Sequence, residues 1–291
     1  MDNQAEVREF LTTRRAKLTP QQAGLPSYGG RRRVPGLRRE EAAQLSGLST
    51  DWYTKIEKGG IAGASDSVLE AIARALQLDD AEYAHLQDLA RVARDGARPV
   101  RRRAPARQVR ASVQHLLDAM TGAAAVVANG RLDVLASNAL FRSVQSDVFD
   151  PAGGPPNLAR YCFFDPRSRA FYDGWEAIAD TTVQILRTEA GRDPHDRGLT
   201  DLVGELATRS DEFRTRWARH DVRLHTGGTK VFHHAVVGDL TLDYNTLPLP
   251  ADPGLSLTAY TAEPGTAGAE KLALLASWTA TGDQPRRAAD I

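Results

Sequence analysis

The sequence predicts a two-domain chain, an all-α module of five helices followed by an α+β module, and three observations carry that prediction. At 291 residues the chain has the length of two ordinary domains, each able to bury a core without disulfides or metals. The run 96–107 breaks helical periodicity with Gly96, Pro99 and Pro105 and crowds Arg98, Arg101, Arg102 and Arg103 together, which is linker composition. Charge divides near the same place. Residues 1–110 carry 20 Lys and Arg against 14 Asp and Glu, a net of +6, and the remaining 17 against 23 give −6. A basic module is drawn to a phosphate backbone by counterion release, whereas an acidic partner domain is kept away from it. The expected organisation is a basic helical domain at 1–95, a linker at 96–107, a mixed domain at 108–280 and a disordered tail at 281–291.

Apolar residues at helical spacing mark the five N-terminal helices in turn. They are Val7, Phe10, Leu11 and Leu18; Ala42, Ala43 and Leu45; Trp52, Tyr53 and Ile56; Val68, Leu69, Ile72 and Leu76; and Tyr83, Leu86 and Leu89. Beyond the linker a helix is predicted from Val109 to Met120. Strands at Ala124 to Ala128 and Arg131 to Ala136 flank Asn129-Gly130, the pair that suits a two-residue hairpin because both turn positions need positive φ. Helices follow at Arg169 to Glu189, Thr200 to Thr208 and Asp211 to His220. A β region then runs from Val222 to Thr261, punctuated by Gly227-Gly228, Gly238-Asp239 and the stretch Pro248 to Pro253, and a last helix covers Ala269 to Thr279.

Composition excludes several classes. No run approaches the roughly 18 apolar residues of a membrane span, and Met1 to Thr12 has neither a basic start nor an apolar signal core, so a cytoplasmic chain without membrane partners is expected. The single cysteine, Cys162, rules out an intramolecular disulfide and a thiolate-rich zinc site, and is read as a small buried hydrophobe. Catalytic signatures are missing: there is no Gly-x-Ser-x-Gly elbow, no glycine-rich phosphate loop and no His-Glu-x-x-His helix, so neither an enzyme nor a bound cofactor or metal is expected. His233 and His234 are adjacent, face opposite sides of a strand and cannot share a metal. Asp193, His195 and Asp196 around Pro194 read as a surface loop, and Phe213, Trp217 and His220 as an inward stripe at helical spacing.

The segment Arg39 to Gly59 has the form of a helix-turn-helix. One helix ends at Ser46, Gly47 supplies a permissive turn, and the next helix starts behind Ser49, a favoured N-cap. Ala43 is small where the two helices cross, and Leu45, Leu48, Tyr53 and Ile56 point to the core. With the second helix in a major groove, Ser49, Thr50 and Asp51, then Thr54 and Lys55, face base edges, and Lys58 lies on the same exposed face. Arg38, Arg39 and the triplet Arg31, Arg32 and Arg33 are expected at phosphates, the triplet alternatively in the minor groove.

The residues Leu45-Ser46-Gly47-Leu48-Ser49, Tyr53 and Ile56-Glu57-Lys58-Gly59 resemble the Xre/Cro/C1 class of helix-turn-helix. The string Arg31-Arg32-Arg33-Val34-Pro35-Gly36-Leu37-Arg38-Arg39-Glu40-Glu41, with Asp51-Trp52-Tyr53-Thr54, resembles regulators that carry an MmyB-like (MltR-like) ligand-binding domain. That resemblance continues through Phe213-Arg214-x-x-Trp217-x-x-His220-x-Val222, Gly228-x-Lys230-x-Phe232-His233-His234, Val237-Gly238-x-Leu240 and Tyr260 to Gly265. It implies a PAS-like second domain, a small sheet with flanking helices around a pocket, which in some members accepts a fatty-acid-like molecule.

The residues themselves supply an apolar lining in Phe163, Phe164, Phe171, Tyr172, Trp175, Ile178 and Ile185, most of it core, with Arg160, Tyr161, His233 and Tyr244 as polar groups. Asn138 reads as a helix cap. The expected protein is a transcriptional regulator that binds double-stranded DNA as a homodimer on a pseudo-palindromic operator and senses a small hydrophobic ligand. The alternative is a DNA-binding regulator whose second domain only dimerises or holds another protein.

Overall fold

The computed structural model describes residues 2–25, 36–95, 109–150, 154–222 and 226–282. Arg31, Arg32 and Arg33, the linker 96–107 and the tail from 283 lie outside them.

The N-terminal region forms the five expected helices: α1 (Asn3–Lys17), α2 (Arg39–Leu45), α3 (Thr50–Glu57), α4 (Asp66–Ala75) and α5 (Asp80–Asp95). Most start behind a side chain that satisfies an otherwise unpaired helix N–H. Asp2 accepts from the Gln4 amide at 3.0 Å, Ser49 from Trp52 at 3.2 Å, and Ser65 from Val68 at 3.4 Å. Asp79 and Glu82 cap each other reciprocally, at 2.8 and 3.1 Å. Gly47 turns the chain between α2 and α3 at φ +67°, a conformation that costs glycine little. Phe10, Leu11, Leu37, Ala42, Tyr53, Ile56, Ile61 and Ile72 are completely buried together.

The second region opens with α6 (Ala111–Ala119), β1 (Ala124–Asn129), β2 (Val134–Ser137) and α7 (Ala139–Val144). It continues through α8 (Leu158–Phe164), α9 (Arg167–Phe171), α10 (Trp175–Arg192), α11 (Arg197–Arg209) and α12 (Asp211–Trp217). It closes with β3 (Gly227–His234), β4 (Gly238–Pro248), β5 (Leu255–Thr261) and α13 (Ala267–Gly282). The strands form one antiparallel sheet in the order β2-β1-β5-β4-β3, so the chain closes the sheet at its centre by pairing β5 with β1. Every residue of β1 is buried because the sheet is covered on both faces there. Ala125 and Val127 pack with Val113 and Leu117 of α6. Ala124 and Val126 share the opposite face with Phe232, Leu240, Leu242, Tyr244 and Tyr260. This is the α+β architecture expected of a PAS-like domain.

Two local expectations need correction. The β1–β2 hairpin forms, but not through a two-residue Asn-Gly turn: Asn129 ends β1, and the positive φ falls at Leu132, +63°. The Asn129 side chain makes the turn itself, its oxygen accepting from the amides of Arg131 and Asp133, both at 3.0 Å. The single helix expected from Arg169 to Glu189 is two, α9 and α10. Between them Tyr172 forms a bridge with Phe232, the Asp173 amide donates to the Val231 carbonyl at 3.1 Å, and Gly174 turns at φ +63°. Pairing with the edge strand β3 takes the backbone groups that a continuous helix needs.

The chain divides into two compact units. One gathers described residues within 1–100, 183–207 and 214–224, and the other those within 101–182, 208–213 and 225–291. The division falls within α10, and most of α11 and residues 214–222 group with the N-terminal helices. Three side-chain relationships explain this. Arg187, completely buried, pairs with Glu6 and with His220 Nδ1 at 2.8 Å. Arg14 reaches the His220 carbonyl and, at 3.0 Å, Asp221. Gly191 lies flush against His85, where a Cβ would sit 2.4 Å from the imidazole.

Candidate DNA-binding and ligand-binding sites

Among the described residues expected at DNA, those of the second motif helix are mostly exposed. Thr50, Asp51, Lys55 and Lys58 are exposed along α3 and Thr54 is half-buried. Ser49 is exposed, but its hydroxyl is engaged in capping the helix. The Lys55 ammonium sits 5.4 Å from the centre of the Trp52 ring, which holds the long side chain beside the helix. Arg38 precedes α2 and is exposed, its amide donating to Glu41 at 2.7 Å.

Arg39, expected at a phosphate, is committed elsewhere as well: its Nε donates to Glu57 at 2.7 Å, with the side chain 45% exposed. Glu57 is the functional residue that sequence reasoning missed. It is completely buried and also accepts from Arg15 Nε at 2.6 Å and from a second Arg15 nitrogen at 3.2 Å, while Arg15 donates onward to the Leu37 carbonyl at 2.7 Å. Burial alone would raise the Glu57 pKa, but the hydrogen bonds and charges of Arg15 and Arg39 outweigh it and hold the carboxyl below its usual range. The carboxylate thus ties the reading helix to α1 and α2 through two arginines. The signal was present in the spacing, since Tyr53, Ile56 and Glu57 lie on one helical stripe and a charge on a core stripe demands partners.

A second buried charge cluster joins α1 to residues 187–221. Burial raises the Glu6 pKa, yet hydrogen bonding to His220 and the charge of Arg187 bring it down to about 2. Glu6, Glu9 and His220 bring potential metal ligands together, but the Arg187 guanidinium already occupies Glu6.

In the other unit the residues expected to line a pocket separate into two groups. Tyr161, Phe171 and Trp175 join a continuous aromatic cluster with Tyr172, Phe232, Tyr244 and Tyr260, and Ile178 packs against it. Ring centres lie 6.2 Å apart for Tyr161 and Phe171, 5.2 Å for Phe171 and Phe232, and 5.9 Å for Tyr244 and Tyr260. Two polar groups of the cluster are satisfied within the protein: Tyr172 Oη donates to Gln145 at 3.0 Å and Trp175 Nε1 to the Cys162 carbonyl at 3.1 Å. Cys162 is buried, as a small hydrophobe should be. Beside the cluster lies a depression of about 100 Å³ lined by Gly122, Ala262, Ala269, Leu272 and Ala273.

The other predicted lining residues are His233, Phe164 and Arg160. His233 is exposed on the opposite face of β3, its Nδ1 2.7 Å from Asp239, whose carboxylate raises the imidazole pKa. This corrects its assignment to the lining, because strand alternation that turns Phe232 inward turns His233 out. Phe164 is half-buried with the Arg209 guanidinium 3.9 Å over its ring, and Arg160 is half-buried on α8. Asn138 is the cap it was read to be, accepting from Phe141 at 2.9 Å. His195 sits in a polar loop in which its amide donates to Asp193 at 3.2 Å.

No helix among the described residues is long and apolar enough to cross a membrane. A search of curated proteins found no match. A helix-turn-helix domain family matches residues 7–86, the span of α1 to α5, and the family described as MmyB-like transcription regulator ligand binding domain matches residues 109–275. Both are regulatory families and neither is enzymatic. With more than half of its length in the second match and a DNA-binding module ahead of it, the chain belongs to the MmyB-like family of ligand-responsive transcription regulators.

Proposed function

We infer that the protein acts in the cytoplasm as a homodimer on a pseudo-palindromic operator, each protomer placing α3 in a major groove. Half-sites then lie about one helical turn, roughly 34 Å, apart. The observation that carries this reading is the exposed row on α3 braced from behind by buried Glu57. Thr50, Asp51, Thr54 and Lys55 read bases, and Arg38, Lys58, the free part of Arg39 and the triplet Arg31 to Arg33 hold phosphates.

The second domain takes up a small hydrophobic molecule at the aromatic cluster of Tyr161, Phe171, Trp175, Ile178 and Tyr244. Ligand changes DNA affinity by binding one arrangement of the dimer better than another, since equal affinity for both shifts nothing. The depression beside the cluster is smaller than the roughly 300–1,000 Å³ of an ordinary ligand site, so uptake requires the rings to part. The same close packing favours a second reading, a dimerisation or protein-holding scaffold.

Native mass spectrometry of the protein from its expression host, before and after mild denaturation, separates the two. A discrete released mass that changes operator affinity supports sensing. No bound mass, and no saturable effect across a broad ligand panel, supports the scaffold.

A further inference from the structure

Asp51 and Lys55 stand four residues apart on the exposed face of α3, the spacing at which an acid and a base on a helix ordinarily pair. Among the described residues they do not. The Lys55 ammonium sits instead over the indole of Trp52, 5.4 Å from the ring centre, and its stem is confined by Gly60, where a Cβ would stand 3.0 Å from Lys55 Cγ. Gly60 holds that approach through its amide, which donates to the Lys55 carbonyl at 2.9 Å. The ring is itself fixed. Trp52 is half-buried against the helical core, and its far edge reaches Gly63, where a Cβ would stand 3.5 Å from Cη2.

An exposed ammonium gains as much from an indole face as from a carboxylate one turn away, so the ring competes successfully for the lysine. Two opposite charges therefore stay free on one helix face. In a major groove each suits a different base edge: an ammonium donates to guanine O6 and N7, and a carboxylate accepts from cytosine N4. Paired with each other, the two would present neither.

We propose that Trp52 is the positioning residue of the reading helix: by drawing Lys55 away from Asp51 it leaves Lys55 to select a guanine and Asp51 a cytosine in each half-site. This rests on the base-reading role of α3 inferred above. A carboxylate near phosphates costs affinity on every duplex and regains it only where a base amine meets it, so Asp51 sharpens selectivity more than it adds to binding. Adenine fits it less well than cytosine, since the N7 lone pair beside the adenine N6 amine repels a carboxylate.

The test uses the full-length protein and duplexes with a random core of about 30 base pairs, long enough for two half-sites one helical turn apart, selected by binding and sequenced. Wild type is expected to return a two-fold symmetric motif in which each half-site prefers one guanine and one cytosine about fivefold or more over the other bases. Lys55→Ala should lose the guanine alone, and Asp51→Asn should exchange the cytosine for adenine, the base that an amide reads. Trp52→Leu should lose both preferences together while the rest of the motif persists, and Trp52→Phe, which keeps a ring face, should retain them in part. Trp52→Met serves if the leucine variant melts early. Either preference surviving intact in Trp52→Leu, or every position of the motif weakening alike, overturns the positioning role. A motif that Lys55→Ala and Asp51→Asn leave unchanged overturns the base assignments and leaves the operator reading standing. Wild type that returns no motif overturns the base-reading role of α3 and this proposal with it.

Discussion

Replacing Glu57 with Gln removes a charge that two arginines share, and the structure sets the size of the effect. Glu57 is completely buried, and its two partners differ: the Arg15 side chain is 13% exposed, whereas that of Arg39 is 45% exposed. Arg39 can turn to water once its partner is neutral, at little cost. Arg15 cannot, and breaking a buried pair from one side costs about 3–5 kcal/mol because the remaining charge stays buried. Gln keeps the shape and one acceptor, so the low end applies, about 3 kcal/mol, or a melting temperature lower by roughly 10 °C.

The effect also has a signature in pH. The folded pKa of Glu57 lies below the ordinary value of 4.5, so its contribution is fully present above about pH 4.5 and is lost as pH falls through the folded value. Urea denaturation followed by circular dichroism, on wild type and Glu57→Gln at neutral pH and down to pH 3, measures both. A difference under 1 kcal/mol at neutral pH, or one that does not narrow in acid, would refute the clamp.

Other predictions follow from neighbouring sites. His85 is 1% exposed, neither ring nitrogen has a hydrogen-bond partner among the described residues, and burial lowers its pKa to about 4. Its neutral form is stable at and above pH 6.5, and protonation of the unfolded chain erodes stability from there down to about pH 4, by roughly 3 kcal/mol in total. His85→Leu should hold stability near wild type at neutral pH and flatten that part of the profile; an unchanged slope would show that another group titrates. Asn138 accepts from Ala125 at 3.0 Å and Phe141 at 2.9 Å and donates to Met120 at 2.8 Å and Ala123 at 2.7 Å, so Asn138→Ala should cost about 2–3 kcal/mol by chemical denaturation, and a loss under 1 kcal/mol would mean the network is replaceable. On DNA, Lys55→Ala should weaken operator binding more than binding to random duplex, whereas replacing Arg31 to Arg33 together should weaken both and flatten the salt dependence. Equal losses on the two duplexes for Lys55→Ala would remove it from base reading.

Much of this protein is legible in its sequence because the relevant physics is local. Five helices follow from apolar spacing, the third also from its cap Ser49. The turn at Gly47 follows from the backbone freedom of glycine, and the exposed face of α3 is what remains when Tyr53 and Ile56 are turned inward. The charge asymmetry and the family motifs likewise need no coordinates. The hairpin was legible as a hairpin but not in its turn, because the Asn129 side chain takes up the amides of Arg131 and Asp133 where a two-residue turn uses backbone alone. His233 was misplaced because its side-chain type was weighed ahead of the strand alternation that turns it away from Phe232.

What only the tertiary structure decided are the relationships between residues far apart in the chain. The break between α9 and α10 depends on an edge strand about 60 residues later that takes up the amide of Asp173. The attachment of residues 183–207 and 214–222 to the N-terminal helices depends on Glu6 meeting Arg187 across 181 positions, and Arg14 meeting Asp221 across 207. Periodicity reports which side of an element is apolar. Which partner covers that side, and which charge is buried against which, is settled only when the whole chain has collapsed and each desolvated charge has found its counter-ion.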